Sequence, residues 1–174
     1  STENVKNGSY QVSRPFMIAT KGEAVGVAQD FIAYILSAEG QAVVANSYIA
    51  IDDQAPAYSG SRPSGKVVVA GSSSVYPIME KLKEAYVKVN PNATIEIQRS
   101  DSSTGLSGAV SGTCDIAMSS RDLKEEELLT LTPIQIALDG IAVIVNNENS
   151  VSALTSEQIK GIFTGEITKW DEIG

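Results

Sequence analysis

Val67-Val68-Val69-Ala70-Gly71-Ser72-Ser73-Ser74-Val75-Tyr76-Pro77-Ile78 passes from an apolar run, through one glycine and three serines, into a helix-like stretch. The run has the unbroken hydrophobic character of a strand covered on both faces, as in a parallel sheet. Beyond it, Ile78, Leu82, Ala85, Tyr86 and Val89 share one stripe while Glu80, Lys81, Lys83, Glu84 and Lys88 lie outside, which predicts a helix over 75–89 ended by Asn90-Pro91-Asn92. The turn between strand and helix gathers hydroxyls at a helix start. Unpaired N–H groups and a partial positive charge at such a start suit an anion.

The pattern recurs downstream. Residues 94–98 alternate as a strand, Asp101-Ser102-Ser103-Thr104-Gly105 follows, and a helix is expected over 104–110; residues 115–118 form a short strand before Ser119-Ser120-Arg121. This β-α-β-α-β rhythm predicts an α/β fold, a single doubly wound three-layer α/β/α body around a mostly parallel sheet. Ligands of such sheets sit beyond the carboxyl ends of the strands, where all three hydroxyl turns would lie and could converge on one oxyanion. Elsewhere a strand is expected over 16–20, helices over 23–36 and 38–46, an acidic surface helix over 122–131, further strand over 134–145, and a helix opened by the capping-box pattern Thr155-Ser156-Glu157-Gln158. Phe163 and Trp170 are expected in the core.

Composition narrows the chemistry. The chain has 174 residues, 43% hydrophobic and 20% charged, enough for one good core. Three stretches are distinguished, 1–52, a linker-like 53–65 rich in Pro, Gly and Ser, and 66–174, together forming one structural domain. A net charge of -8 argues against a nucleic-acid partner. Histidine is absent, which removes the commonest general base and metal ligand, so no catalytic residue, metal site or cofactor is assigned. No Gly-Lys-Ser/Thr follows the Gly71 turn, which disfavours nucleotide hydrolysis. Cys114, the one cysteine, is expected to be a buried, inert thiol. No apolar run approaches the roughly 20 residues of a membrane helix, and Ser1-Thr2-Glu3-Asn4 lacks the features of a signal peptide, so an export signal or anchor is expected outside these residues.

Each candidate has a plain alternative. Ser73 or Ser74 would serve equally as a helix N-cap, and Ser102, Ser103 and Thr104 could cap the next helix, with Gly105 there for close packing. Capping needs one hydroxyl per helix, however, and these turns offer several, so the surplus must be met by water or a ligand. Arg121 opens a predicted helix, where a cation opposes the dipole and calls for a compensating anion. Asp101 reads as a turn residue. Asp139, a carboxylate inside an apolar run, is the better candidate for accepting a proton from an oxyanion. Arg14 before Pro15 reads as an anchor for the strand's entry.

These blocks resemble the phosphate-binding proteins of phosphate-specific ABC transporters, two-lobed extracytoplasmic receptors of the type II periplasmic-binding-protein fold. The resemblance lies in the Gly-Ser-Ser-Ser-Val-Tyr-Pro turn, residues 101–105, the Cys-Asp-Ile-Ala-Met-Ser-Ser-Arg block ending at Arg121, residues 139–147 and residues 162–170, which match the family's N-terminal region in order. Gly8-Ser9-Tyr10, Ser13-Arg14-Pro15, residues 31–41 and Tyr48-Ile49 resemble the family's C-terminal end, here placed first. The chain thus resembles one lobe in circularly rotated order. A cut across two tandem receptor copies and a deliberate permutation both fit, the tandem junction slightly better, and Ser1 and Gly174 are expected on one edge.

The resemblance implies phosphate contacts from Ser74 and Val75 at the first turn, from Ser102 and Ser103 at the second, and from Arg121 at the third; Ser73 is a further candidate, and a proton acceptor such as Asp139 would favour phosphate over sulfate. It implies delivery to the membrane subunits of an ABC permease. The family's second lobe, with its Ser-Gly-Thr turn, has no counterpart here, so weak or no binding is expected unless a homodimer closes the open ligand face. The alternatives are a receptor for another tetrahedral oxyanion such as sulfate, or an envelope scaffold module that keeps the fold without transport.

Overall fold

The computed structural model describes residues 2–6, 10 and 12–173. Gly8 and Ser9 of the resemblance, and the chain ends Ser1 and Gly174, lie outside the described residues. By their contacts the residues divide into two compact units, one of 14–139 and one of 1–13 with 140–174.

The larger unit carries the sheet. In chain order it contains β1 (Ser13–Lys21), α2 (Gly26–Ile35), α3 (Ala38–Ala45), β2 (Gly65–Ser72), α4 (Tyr76–Val89), β3 (Ala93–Ser100), α5 (Ser102–Ser111), β4 (Ile116–Ser119), α6 (Glu125–Leu128) and β5 (Leu131–Gly140), following α1 (Thr2–Lys6) of the smaller unit. The strand order is β3-β2-β4-β1-β5. β2 runs parallel to both β3 and β4, whereas β1 is antiparallel to β4, with Met17 opposite Ser119 and Ala19 opposite Ala117.

Side chains alternate across this sheet with the period of two that a pleated strand imposes. Phe16, Ile18, Val67, Val69, Ile95, Ile116 and Met118 point to one face, where they pack with Phe31 and Ile35 of α2 and with Ile78, Leu82 and Tyr86 of α4. Met17, Ala19 and Ala117 point to the other, against Leu106 and Ala109 of α5. Helices on both faces of a mostly parallel sheet make the expected three-layer α/β/α architecture.

Residues 53–65 form an ordered strap. Ala38 N donates to the Pro56 carbonyl at 2.8 Å, Tyr58 N to Glu39 Oε2 at 2.8 Å, and Asn90 Nδ2 to the Pro63 carbonyl at 2.9 Å. The deepest tie is Asp30, 5% exposed, whose Oδ2 accepts from Tyr58 Oη at 2.5 Å and from Tyr86 Oη at 2.7 Å.

Three expectations need correction. The helix over 122–131 shrinks to α6, because Leu131 is drawn into the core as the first residue of β5. The strand over 134–145 ends at Gly140, and Ile141 and Ile144 beyond it are exposed. Phe163 and Trp170 are not core residues, being 80% and 45% exposed. All four exposed side chains belong to the smaller unit, which contains α7 (Ser156–Thr164) and a 3-10 turn (Trp170–Ile173). A unit of this size buries little of its own apolar surface. Its best-defined feature is the predicted capping box, with Gln158 N donating to Thr155 Oγ1 at 3.2 Å and Thr155 N to Gln158 Oε1 at 2.8 Å.

Candidate functional site

The carboxyl ends of β3, β2 and β4 lie side by side and point the same way, so the three hydroxyl turns emerge along one edge of the larger unit. The first turn is central. Ser73 N donates to the Ser100 carbonyl at 2.9 Å, which carries the β2–β3 ladder one residue past the strands and ties the first turn to the start of the second.

Two glycines permit this proximity. Gly71 has φ 134° and its α-carbon faces the Met118 backbone, so a Cβ there would strike the Met118 carbonyl oxygen. A Cβ on Gly105 would meet the Ala70 carbonyl oxygen and the Gly71 α-carbon, both at 2.5 Å. Gly105 therefore does serve close packing, seating α5 directly on β2 at the turn.

Within the first turn, buried Ser72 organises the backbone: its Oγ accepts from Ser74 N at 3.3 Å and its carbonyl from Val75 N at 3.1 Å. The N-cap of α4 is Val75, not Ser73 or Ser74, and no side chain caps the helix. Pro77 in the first helical turn lacks an N–H and presets the backbone, which lessens the need for a serine cap. The Ser73 and Ser74 hydroxyls consequently have no protein partner among the described residues, and both are accessible. Val75 itself is buried and its N–H is already used within the turn.

In the second turn Asp101 caps α5, accepting from Thr104 N at 2.9 Å and Thr104 Oγ1 at 2.6 Å. These bonds, with that from Oγ1 the stronger influence, hold its carboxyl below the ordinary carboxylate range. Asp101 thus frees Ser102 and Ser103, which reach the third turn. Ser120 N donates to Ser102 Oγ at 3.1 Å, and Arg121 Nη2 to Ser103 Oγ at 3.2 Å. Each hydroxyl oxygen accepts from the third turn; Ser103 keeps its own proton to donate elsewhere, while Ser102 Oγ also lies 3.5 Å from Ser120 Oγ, with either hydroxyl able to donate.

Arg121 is placed differently from its sequence expectation. α6 begins at Glu125 with Lys124 as N-cap, so Arg121 precedes the helix instead of opening it. Its compensating anion is internal, for Nη1 and Nη2 grip Glu127 Oε2 and Oε1 at 2.9 and 2.8 Å. The guanidinium pulls Glu127 down to about 2, and Glu127 in turn raises the Arg121 pKa. Glu127 was missed in sequence, although the need for a counter-anion was its signal. Asp139 is already engaged in an ion pair. It sits at the end of β5, two strands from β4, and accepts from Arg14 Nε and Nη2, each at 2.9 Å. Arg14 thereby anchors the entry of β1 as its position suggests.

Cys114 is buried, and burial, followed by the nearby Asp115, pushes its thiol up to about 11, the state of an inert cysteine. Among the described residues, no cluster of three or more His, Cys, Asp or Glu could hold a metal ion. No helix among them is long and apolar enough to cross a membrane. The edge offers serine hydroxyls beside an uncapped helix start, which suits holding an anion.

A family described as a PBP superfamily domain matches residues 56–174. The chain is 52% identical over 99% of its length to a protein of Streptococcus agalactiae named phosphate-binding protein PstS 2, covering 60% of that protein. The crystal structure of a phosphate ABC transporter, phosphate-binding protein from Streptococcus pneumoniae TIGR4 superposes with a TM-score of 0.94 at 43% identity, over 100% of this chain and 68% of that one. An ABC-type phosphate transport receptor from Vibrio cholerae matches 63% of this chain and 45% of its own, with a TM-score of 0.51 at 32% identity. The chain spans about 60% of the length of the curated relatives that it matches most fully. In the streptococcal relatives one match runs through both segments and the strap, so they share this rotated order. The part of each left unmatched is too short for a second copy of the lobe. The same segment order therefore occurs in these streptococcal proteins. Family match, fold and segment order agree: the chain belongs to the PBP superfamily, within the family of phosphate-binding proteins of phosphate ABC transporters.

Proposed function

We propose that this chain is the phosphate-binding lobe of an extracytoplasmic solute receptor that delivers phosphate to an ABC permease, and that it binds weakly by itself. The observation that carries the reading is the edge formed by the three turns. There the Ser73 and Ser74 hydroxyls have no partner among the described residues beside the uncapped start of α4, Ser103 keeps a proton to donate, and Ser102 shares its contact with Ser120. The names of the streptococcal relatives support phosphate as the ligand. Val75 contributes its helix-start position, and Arg121 contributes by holding Ser103. Asp139, committed to Arg14, is the least suited of the candidates to touch the ligand. No enzymatic role is proposed.

An open edge leaves one side of a tetrahedral anion in water. Each charge-assisted hydrogen bond contributes roughly 1.5–3 kcal/mol, so lacking two or three donors separates a micromolar site from a millimolar one by about 4 kcal/mol. Calorimetric titration of the 174-residue chain with inorganic phosphate is expected to give millimolar affinity or weaker. Micromolar binding by a monomer would contradict the one-lobe account. Micromolar binding that tracks dimer formation in light scattering would instead show two chains closing the site. Equal affinity for sulfate would make the lobe a general oxyanion binder.

A further inference from the structure

The arginines near the edge are not electrostatically equivalent. Arg14 is neutralised by Asp139, and Arg121 by the two-pronged grip of Glu127. Arg99, at the end of β3 and opposite Gly71 of β2 in the ladder, has no carboxylate within ion-pairing distance among the described residues. Its guanidinium carbon lies 5.6 Å from the centroid of the Tyr76 ring, and Tyr76 is the first residue of α4. A ring face and a carboxylate both hold a guanidinium, with opposite consequences for a ligand. The carboxylate cancels the charge, whereas the ring leaves it available. The position is also otherwise unfavourable, since a cation at a helix start opposes the dipole. An anion between them relieves that opposition.

We propose that Arg99 is the capture cation of the oxyanion site, held in place by Tyr76 and supplying the positive charge that Glu127 removes from Arg121. The assignment rests on the proposed oxyanion-binding function of the same edge. It gives a chain of net charge -8 a local positive point beside its uncapped helix. A charge at the rim of a site acts mainly on encounter and salt dependence. Arg99 is therefore a specificity-determining contact for anions as a class, and the serines set the geometry.

The test titrates inorganic phosphate into the 174-residue chain at 20 and at about 300 mM salt, following amide shifts. Arg99→Gln is expected to weaken binding about fivefold at low salt, and the difference from wild type should shrink to less than about twofold at high salt. Arg99→Lys keeps the charge and is expected to retain most of the affinity. Tyr76→Leu should weaken binding in the same salt-dependent way as Arg99→Gln, while Tyr76→Phe should not. The off-site control is Lys66→Gln, at the opposite end of β2 and paired with Glu96, which should leave binding unchanged. If the wild-type chain binds and Arg99→Gln binds equally well at both salts, the assignment fails while the oxyanion reading survives. If Lys66→Gln weakens binding as much, only net charge matters and the assignment also fails. If wild type shows no phosphate response at the three turns, both are overturned.

Discussion

Gly71→Ala is expected to destabilise the chain by about 3 kcal/mol or more, lowering the melting temperature by roughly 10 °C. Two causes add. The residue sits at φ 134°, outside the range comfortable for an L side chain, and the added methyl meets backbone at Met118, which cannot swing aside as a flexible side chain would. β2 would have to part from β4, and with it the first turn from the third. Thermal denaturation followed by circular dichroism checks the magnitude. Gly112→Ala provides the comparison, since Gly112 also has a positive φ of 79° but open space around it. That variant should cost only about 1 kcal/mol. Equal losses for the two would show that the close approach of β2 to Met118 is not what the fold depends on.

The second large effect is expected at Asp30. Asp30→Ala leaves the Tyr58 and Tyr86 hydroxyls without their common acceptor, and should cost about 3 kcal/mol or more while loosening the strap over 53–65. Denaturant unfolding measures the loss, and proteolysis within the strap reports its release. Burial, with the Asp30 charge behind it, raises the Tyr58 pKa. Tyr86 is pushed from the ordinary 10.0 up to about 12, again mainly by burial, with Asn90 opposing and Asp30 adding to the rise. A raised pKa means that the folded state holds the proton more tightly. The stabilisation is therefore complete below pH 10 and disappears as pH climbs toward 12. Wild-type stability should fall across that window, and Asp30→Asn, which removes the charge, should move tyrosinate formation to lower pH. A stability that stays flat from pH 10 to 12 would contradict the clamp.

Much of this architecture was legible because its physics is local. The apolar run at Val67 to Ala70, the stripe from Ile78 to Val89 and the Thr155–Gln158 cap each announce themselves within a few residues, and each stands where expected. Strand direction is not local, and nothing in residues 16–20 reveals that β1 runs against β4. Apolarity likewise does not say what will cover it, which is why Phe163 and Trp170 read as core residues and are exposed. At the site, the hydroxyls were legible but their partners were not. Glu127 lies six residues from Arg121 across a loop and a helix start, a separation that no helical period predicts. Asp30 sat unnoticed beside Phe31 because its partners, Tyr58 and Tyr86, are 28 and 56 residues away.

The central claim is that three separated turns present their donors to one anion. Residue-resolved amide shift mapping during a phosphate titration tests it most directly. The account predicts concerted, saturable changes with one dissociation constant at Ser73, Ser74, Ser102 and Ser103, with Arg121 following and Asp139 unaffected. Changes confined to one turn, or spread over surfaces away from the ends of β2, β3 and β4, would contradict it.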